Sequence, residues 1–407
     1  MLLQGVDVVA GEQPGRVRLR GRVRYDGDGT EEFLWFDVPA PMESHLTTSG
    51  NPWLVALLPL AVTLQEPLRI AVPVDEALLE GCHSVLEVWS AWYPHLAPVA
   101  IEATTVRPTP GTGSGGTGLF FSGGVDSFDV LLSHNGSTPT AMPVRVTDLL
   151  LIHGADIPLS DSAAFNRLRP RLADVAREFG AGLVDIATNL RETRWQRTDW
   201  AGLSHAALLV AAGLSLEGRF HRLLIASSAP YGRLRPHGSH PITDALFSTS
   251  QTRVRHDGAH RDRPDRIQAI AAHPVVLKYL RVCWLGRTDS NCGRCPKCLL
   301  TMVGLELAGT LGKCETLPRA IDPDALRQVY FESAGTYAAY WMARFFRERA
   351  WLAGRRDLVE LLDHALKRSD RLRFTRDVLD GLGRRGLIPA RVSRRLIASL
   401  FRSSVRY

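Results

Sequence analysis

The segment Leu119-Phe-Phe-Ser-Gly-Gly-Val-Asp-Ser-Phe-Asp129 constrains the fold of this chain more than any other. Its apolar residues, ending at Phe121, read as a short buried strand. Gly123 and Gly124 read as a tight turn, and a helix is expected from about Ser127. Such a turn brings backbone N–H groups close to an anion, and the helix N-terminus adds partial positive charge at the same place. Ser122 and Ser127 offer hydroxyls, and Asp126 can hold Mg2+ against phosphates. No lysine of the G-x-x-x-x-G-K-[ST] pattern follows, so the loop is not of the Walker type.

The surrounding pattern is α/β. Strands are expected at 119–121, 149–153, 183–186 and 223–226, and helices at 127–132, 163–179 (broken or kinked at Pro170) and 204–216. Short, nearly all-apolar strands joined by helices predict a doubly wound parallel sheet that receives ligands at its carboxyl end. Upstream, residues 1–106 read as an accessory α+β domain: a hairpin from Val17–Tyr25 and Phe33–Phe36, a helix at 53–61, a strand at 68–72 and a helix at 76–92. Residues 107–118, Arg-Pro-Thr-Pro-Gly-Thr-Gly-Ser-Gly-Gly-Thr-Gly, read as a linker. The G-x-G-x-x-G within it precedes a strand instead of following one, which excludes the dinucleotide fingerprint. Residues 119–305 then form the catalytic domain, and 306–407 a helical C-terminal region. The stretch 227–260 reads as loop-rich and polar.

A second signal is Cys283-x8-Cys292-x2-Cys295-x2-Cys298. Four thiolates at this spacing close a tetrahedral Zn2+ site with no open position, the arrangement of structural zinc. Arg294 and Lys297 would offset part of its negative charge. Cys82 and Cys314 stand apart as ordinary buried residues. Clustered cysteines behind an N-terminus (Met-Leu-Leu-Gln-Gly-Val-Asp) with no secretory pattern predict a reducing, cytoplasmic setting. The longest apolar run, Trp53–Val62, is too short to span a bilayer.

Ser122-Gly-Gly-Val-Asp-Ser127 resembles the Ser-Gly-Gly-x-Asp-Ser signature of the PP-loop ATP pyrophosphatases. With the cysteine spacing, and with Leu203–Ala212 followed by Leu223–Ala226, the chain is similar to the 7-cyano-7-deazaguanine synthase family over about residues 118–305. The resemblance implies a five-stranded parallel sheet of the adenine nucleotide alpha hydrolase type. It also implies ATP on Phe121, Ser122, Gly123, Gly124, Val125, Asp126 and Ser127, with adenine against the backbone of Ile152 and His153. Such enzymes split ATP into AMP and pyrophosphate, adenylating a substrate carboxylate that a nitrogen nucleophile then attacks. Asp126, Ser127 and Ser122 are the catalytic candidates. Where that family carries a Cys-Arg-Pro-Glu substrate segment, this chain has Tyr231-Gly-Arg-Leu-Arg-Pro-His-Gly-Ser-His-Pro-Ile-Thr-Asp244, so the acceptor need not be a deazaguanine.

That segment lies past the fourth predicted strand and gathers the substrate candidates Arg233, Arg235, His237, His240 and Asp244. Arginine can hold a carboxylate or phosphate, and histidine can deprotonate an amine. Arg194, Arg197 and His205 are secondary candidates. The net charge of +7 is concentrated in residues 344–407, where 17 basic and 7 acidic side chains make a local +10. That surface, or the N-terminal domain, is where a protein, peptide or tRNA partner would dock. The expected function is therefore that of an ATP-dependent C–N ligase joining a small carboxylate to ammonia or an amine, needing ATP, Mg2+ and Zn2+. The alternatives are tRNA thiolation and modification of a partner protein or peptide. A homodimer is compatible with all of these readings, and no membrane partner is expected.

Overall fold

The apolar runs that mark buried strands become the parallel half of a larger sheet. The computed structural model describes residues 1–107, 115–136, 142–283, 289–332, 339–385 and six positions between 387 and 396. The chain divides into two compact units, Met1–Ser122 with Asp126–His260, and Gly123–Val125 with Arg261–Tyr407.

In the first unit the elements run β1 (Leu2–Ala10), β2 (Arg16–Arg24), β3 (Glu31–Pro39), α1 (Asn51–Leu64), β4 (Leu68–Asp75), α2 (Glu76–Trp92) and β5 (Ile101–Val106). There follow β6 (Gly116–Phe120), α3 (Val125–Asn135), β7 (Asp148–His153), α4 (Ser162–Glu178), β8 (Gly182–Thr188), α5 (His205–Leu214), β9 (Phe220–Ala226), α6 (Pro241–Leu246) and β10 (Arg253–Asp257). They form one ten-stranded sheet in the order β10-β9-β6-β7-β8-β3-β2-β1-β4-β5. The pairs β10–β9, β9–β6, β6–β7 and β7–β8 are parallel. Strand order reverses between β6 and β9, and in doubly wound sheets generally ligands bind at the carboxyl ends of the strands at such a point.

The expectation of a separate five-stranded sheet is corrected, because the parallel strands are only half of a continuous one. β3 runs antiparallel to β8, with Phe36 opposite Thr188 and Asp37 opposite Ala187. Beyond the ladder, Asn189 accepts from the Trp35 N–H and donates to the Phe33 carbonyl, each at 2.9 Å. Arg16 of β2 bridges Asp37 and Asp185. Residues 1–106 are thus not a detached accessory domain. α1 is apolar on every side and buried almost throughout, which requires neighbours all round it. It shares one core with Phe120, Ile152 and Ile225 of the parallel strands. The Trp195 indole donates to the Ala56 carbonyl (2.7 Å), in the turn where Pro59 withdraws a backbone donor.

Local signals hold where chemistry is explicit. Asp75 caps α2 by accepting from the Ala77 and Leu78 N–H groups. β2 and β3 form the expected hairpin. Pro170 does not interrupt α4, which runs through it. Of the proposed linker, residues 108–114 lie outside the described residues, and Gly116–Gly118 belong to β6. Within the loop-rich stretch 227–260 lie α6 and β10, the fifth parallel strand.

The second unit holds α7 (Arg263–Ile270), α8 (Pro274–Tyr279), α9 (Pro296–Leu307), α10 (Pro323–Gln328), α11 (Ala339–Leu352) and α12 (Arg356–Arg384). α11 packs on α9 and α7, so residue 305 is no boundary. Arginines of the basic region are partly neutralised within the unit. Arg349 pairs with Asp265 (3.2 Å), Arg355 with Glu306 (2.9 Å) and Arg347 with Asp363 (3.0 Å). Arg394 and residues 397–407 lie outside the described residues.

Candidate functional site

The turn after β6 has the conformation its glycines predict. Phe121 donates its N–H to the Leu150 carbonyl of β7 (2.9 Å), and its ring meets Phe128 edge-on at 5.0 Å. The chain then reverses at Gly123, whose φ of +76° is unfavourable for any residue with a Cβ. α3 starts at Val125, so Asp126 and Ser127 lie in its first turn. Val125 and Ser127 are buried, while Ser122, Gly124 and Asp126 are half-buried. The Gly123 carbonyl accepts the Arg281 N–H at 2.8 Å, and both residues belong to the second unit. A turn of this kind, feeding an eleven-residue helix, is suited to phosphate groups.

Ile152 and His153 end β7 as expected. The His153 ring stacks on Phe165 at 4.2 Å, and its Nε2 donates to the Pro158 carbonyl at 3.1 Å. Burial holds its pKa below the usual histidine value. Its side chain is therefore engaged within the protein.

Three of the five substrate candidates come together in the first unit. Asp244 on α6 is fully buried. It accepts from the His240 N–H (2.9 Å), from Ser239 Oγ (2.8 Å) and from Nδ1 of His256 on β10 (2.7 Å). His240 caps α6 by accepting the Ile242 N–H at Nδ1 (3.1 Å), and its ring meets Trp92 at 4.8 Å. His237 lies 6.1 Å from His205, ring to ring, and His205 lies 4.9 Å from Trp200. Burial lowers the pKa of both His237 and His240, and in His240 the neighbouring His256 adds to the effect. Arg235 is exposed and Arg233 half-buried in a short 3-10 turn, so the arginines do not join the cluster's buried side. Of the secondary candidates, Arg194 pairs with Asp28 and covers the Tyr25 ring, and Arg197 is exposed. His256 was not legible as a site residue, because it lies in a short, largely polar strand.

The four cysteines of the second unit converge as their spacing predicts. Their Sγ atoms all lie within 4.8 Å of one another, with Cys283–Cys295 and Cys292–Cys298 at 3.9 Å. A Zn–S bond of about 2.3 Å gives tetrahedral edges of about 3.8 Å, so the thiols fit a zinc ion. Backbone N–H groups of Cys295 and Cys298 point at Cys292 Sγ (3.2 Å) and Cys295 Sγ (3.5 Å), as suits thiolate acceptors. Asn291 supports the knuckle: its Oδ1 accepts from Val282 and Cys283 N–H, and its Nδ2 donates to the Leu280 and Thr316 carbonyls. Gly293, at φ +71°, packs against Pro318, whose ring a Cβ would meet at 2.6 Å. Contact with Cys283 pushes the Cys295 thiol up, and because metals bind thiolates, a cation held here would take the place of protons. Cys82 and Cys314 are buried apart from this cluster.

No helix among the described residues is long and apolar enough to cross a membrane. No family model, curated protein or solved structure matches this chain.

Proposed function

We propose that this protein is an AMP-forming, ATP-dependent C–N ligase that adenylates a substrate carboxylate and passes it to ammonia or an amine. The observation that carries the reading is the Ser122-Gly-Gly-Val-Asp-Ser127 turn, with its left-handed Gly123, at the carboxyl end of β6 where the parallel strand order reverses.

In this reading, N–H groups of the turn and the first turn of α3 receive the phosphates, and the hydroxyls of Ser122 and Ser127 orient them. Asp126 is the residue that would hold Mg2+, which neutralises the departing pyrophosphate. The carboxylate oxygen attacks the α-phosphorus and pyrophosphate leaves. AMP is then a far better leaving group than oxide, so nitrogen attack proceeds near neutral pH. The four cysteines would hold Zn2+ in a closed shell, a structural role with no step of its own.

The test is ATP–pyrophosphate exchange across a panel of carboxylates with the intact protein. Exchange that requires one carboxylate and disappears in Asp126→Ala supports the reading. Exchange retained by that variant defeats it.

A further inference from the structure

The Asp244–His256 pair is buried and hydrogen-bonded, and the reading above gives it no part in phosphate binding. It lies wholly within the first unit. His256 is opposite Ile225 in the β10–β9 register, and Leu224 of β9 is opposite Leu119 of β6. His256 is therefore level with Phe120, two strands away, or about 10 Å across the sheet. That places it at the carboxyl edge, beside the strand that leads into Ser122. Val254, two residues earlier on the same face of β10, packs in one core with Phe120 and Ile225.

The hydrogen bonds determine the tautomer. Asp244 is fully buried and accepts from the His240 N–H and from Ser239 Oγ, and its contact with His256 Nδ1 at 2.7 Å assigns the Nδ1–H tautomer to that ring. The lone pair is then on Nε2, to which no described residue is bonded. His134, which pairs with the neighbouring Asp257, shows the structural alternative. There Nε2 faces the carboxylate at 2.6 Å, Nδ1 accepts the Val144 N–H at 3.2 Å, and the ring is saturated. Two Asp–His pairs at adjacent positions of one strand thus differ in one respect: only the His256 pair keeps a basic nitrogen open among the described residues.

We propose that Nε2 of His256 is the general base that deprotonates the nitrogen nucleophile, with Asp244 as its positioning residue and Ser239 holding that carboxylate. The proposal rests on the ligase reading. In the transfer step the nitrogen lone pair forms the C–N bond to the adenylated carbonyl. The C–O bond to phosphate breaks and its electron pair leaves with AMP. The surplus N–H proton passes to Nε2, giving an imidazolium whose charge Asp244 offsets. Proton acceptance of this kind is typically worth 10² to 10⁴ in rate, on the order of a positioned side-chain base.

The full-length protein is assayed for two reactions with a carboxylate that supports exchange. ATP–pyrophosphate exchange reads adenylation, and AMP release driven by ammonium chloride reads nitrogen transfer. For His256→Ala we expect ammonium-driven release to fall by about a hundredfold, with exchange falling far less, and added imidazole to restore part of the release. Asp244→Asn should give a smaller loss of release with the same asymmetry. Unchanged release in His256→Ala overturns the proposal and leaves the ligase reading standing. So does an equal loss of both reactions, or a loss that imidazole does not relieve. If the wild-type protein shows exchange with no carboxylate, the ligase reading fails and the assignment of His256 fails with it.

Discussion

Arg281 donates its backbone N–H to the carbonyl of Gly123 at 2.8 Å, two residues before the first cysteine of the metal cluster. The peptide that follows Arg281 is itself held: Asn291 accepts from Val282 and Cys283, and Cys283 packs its thiol against Cys295. The knuckle and the glycine turn are thus joined by one short run of backbone within the same unit. A metal held by the cysteines would therefore brace the backbone that bonds the Gly123 carbonyl. We expect Cys295→Ser, or removal of zinc by a chelator, to weaken ATP binding by about tenfold, or roughly 1.4 kcal/mol. Elemental analysis should show one zinc per chain before treatment, and calorimetric ATP titration reads the affinity change. Full ATP affinity in zinc-free protein would disprove the coupling.

Gly123 itself is the second test. Its φ of +76° costs a residue with a Cβ about 1–2 kcal/mol, and the peptide N–H groups beyond it turn with that torsion. Gly123→Ala is expected to lower stability by about 1 kcal/mol and to weaken ATP binding more than it weakens folding. Denaturant melts compared with nucleotide titrations separate the two effects. A variant with normal ATP affinity would show that the turn does not hold phosphate.

The strands β6 to β9, the β2–β3 hairpin, the glycine turn and the cysteine knuckle are legible because each has a local signature: an apolar run, an alternating one, a paired glycine, a fixed spacing. β5 and β10 lack one. β10 is Arg-Val-Arg-His-Asp at a sheet edge, where one neighbour suffices and polar residues are tolerated. β5 is a Thr-containing edge strand for the same reason. The join that makes ten strands from two sheets rests on two opposed residue pairs, Phe36 with Thr188 and Asp37 with Ala187, far apart in sequence. No periodicity records such a pairing. His256 was missed for that reason too, since only the β10–β9 pairing and α6 bring it to Asp244.

Arg16 tests the join. Its guanidinium lies between Asp37 of β3 and Asp185 of β8, both buried, and Arg169 also reaches Asp185. Removing one partner of a buried ion pair leaves the other charge uncompensated, a loss of about 3–5 kcal/mol in full burial. Arg169 partly compensates Asp185, so Arg16→Ala should cost about 2 kcal/mol, with the first unit still melting in one transition. A separate early transition of the first hundred residues would mean that the two halves of the sheet fold independently.

The stability of the first unit should also depend on pH through its buried histidines. Burial holds the pKa values of His153, His237 and His240 below the ordinary histidine value of about 6.5. The unfolded chain therefore takes up protons at higher pH than the folded one. Each ring contributes stability in full above the unfolded pKa and loses it as pH falls toward the depressed folded value. Asp257 acts at lower pH. Burial opposes its ionisation, but His134, Arg255 and the Gly258 N–H outweigh that and hold its pKa below the usual carboxylate value. Its contribution is present above about pH 4 and is lost as pH falls through its folded value. Unfolding free energy should therefore be flat above about pH 7, decline below about pH 6.5, and decline again below about pH 4. Urea melts at half-unit pH intervals would resolve the two steps. In His153→Phe, which keeps the stacking partner on Phe165 without a titrating ring, the first step should shrink while the second stays. A first step of unchanged size in that variant would assign it to groups other than His153.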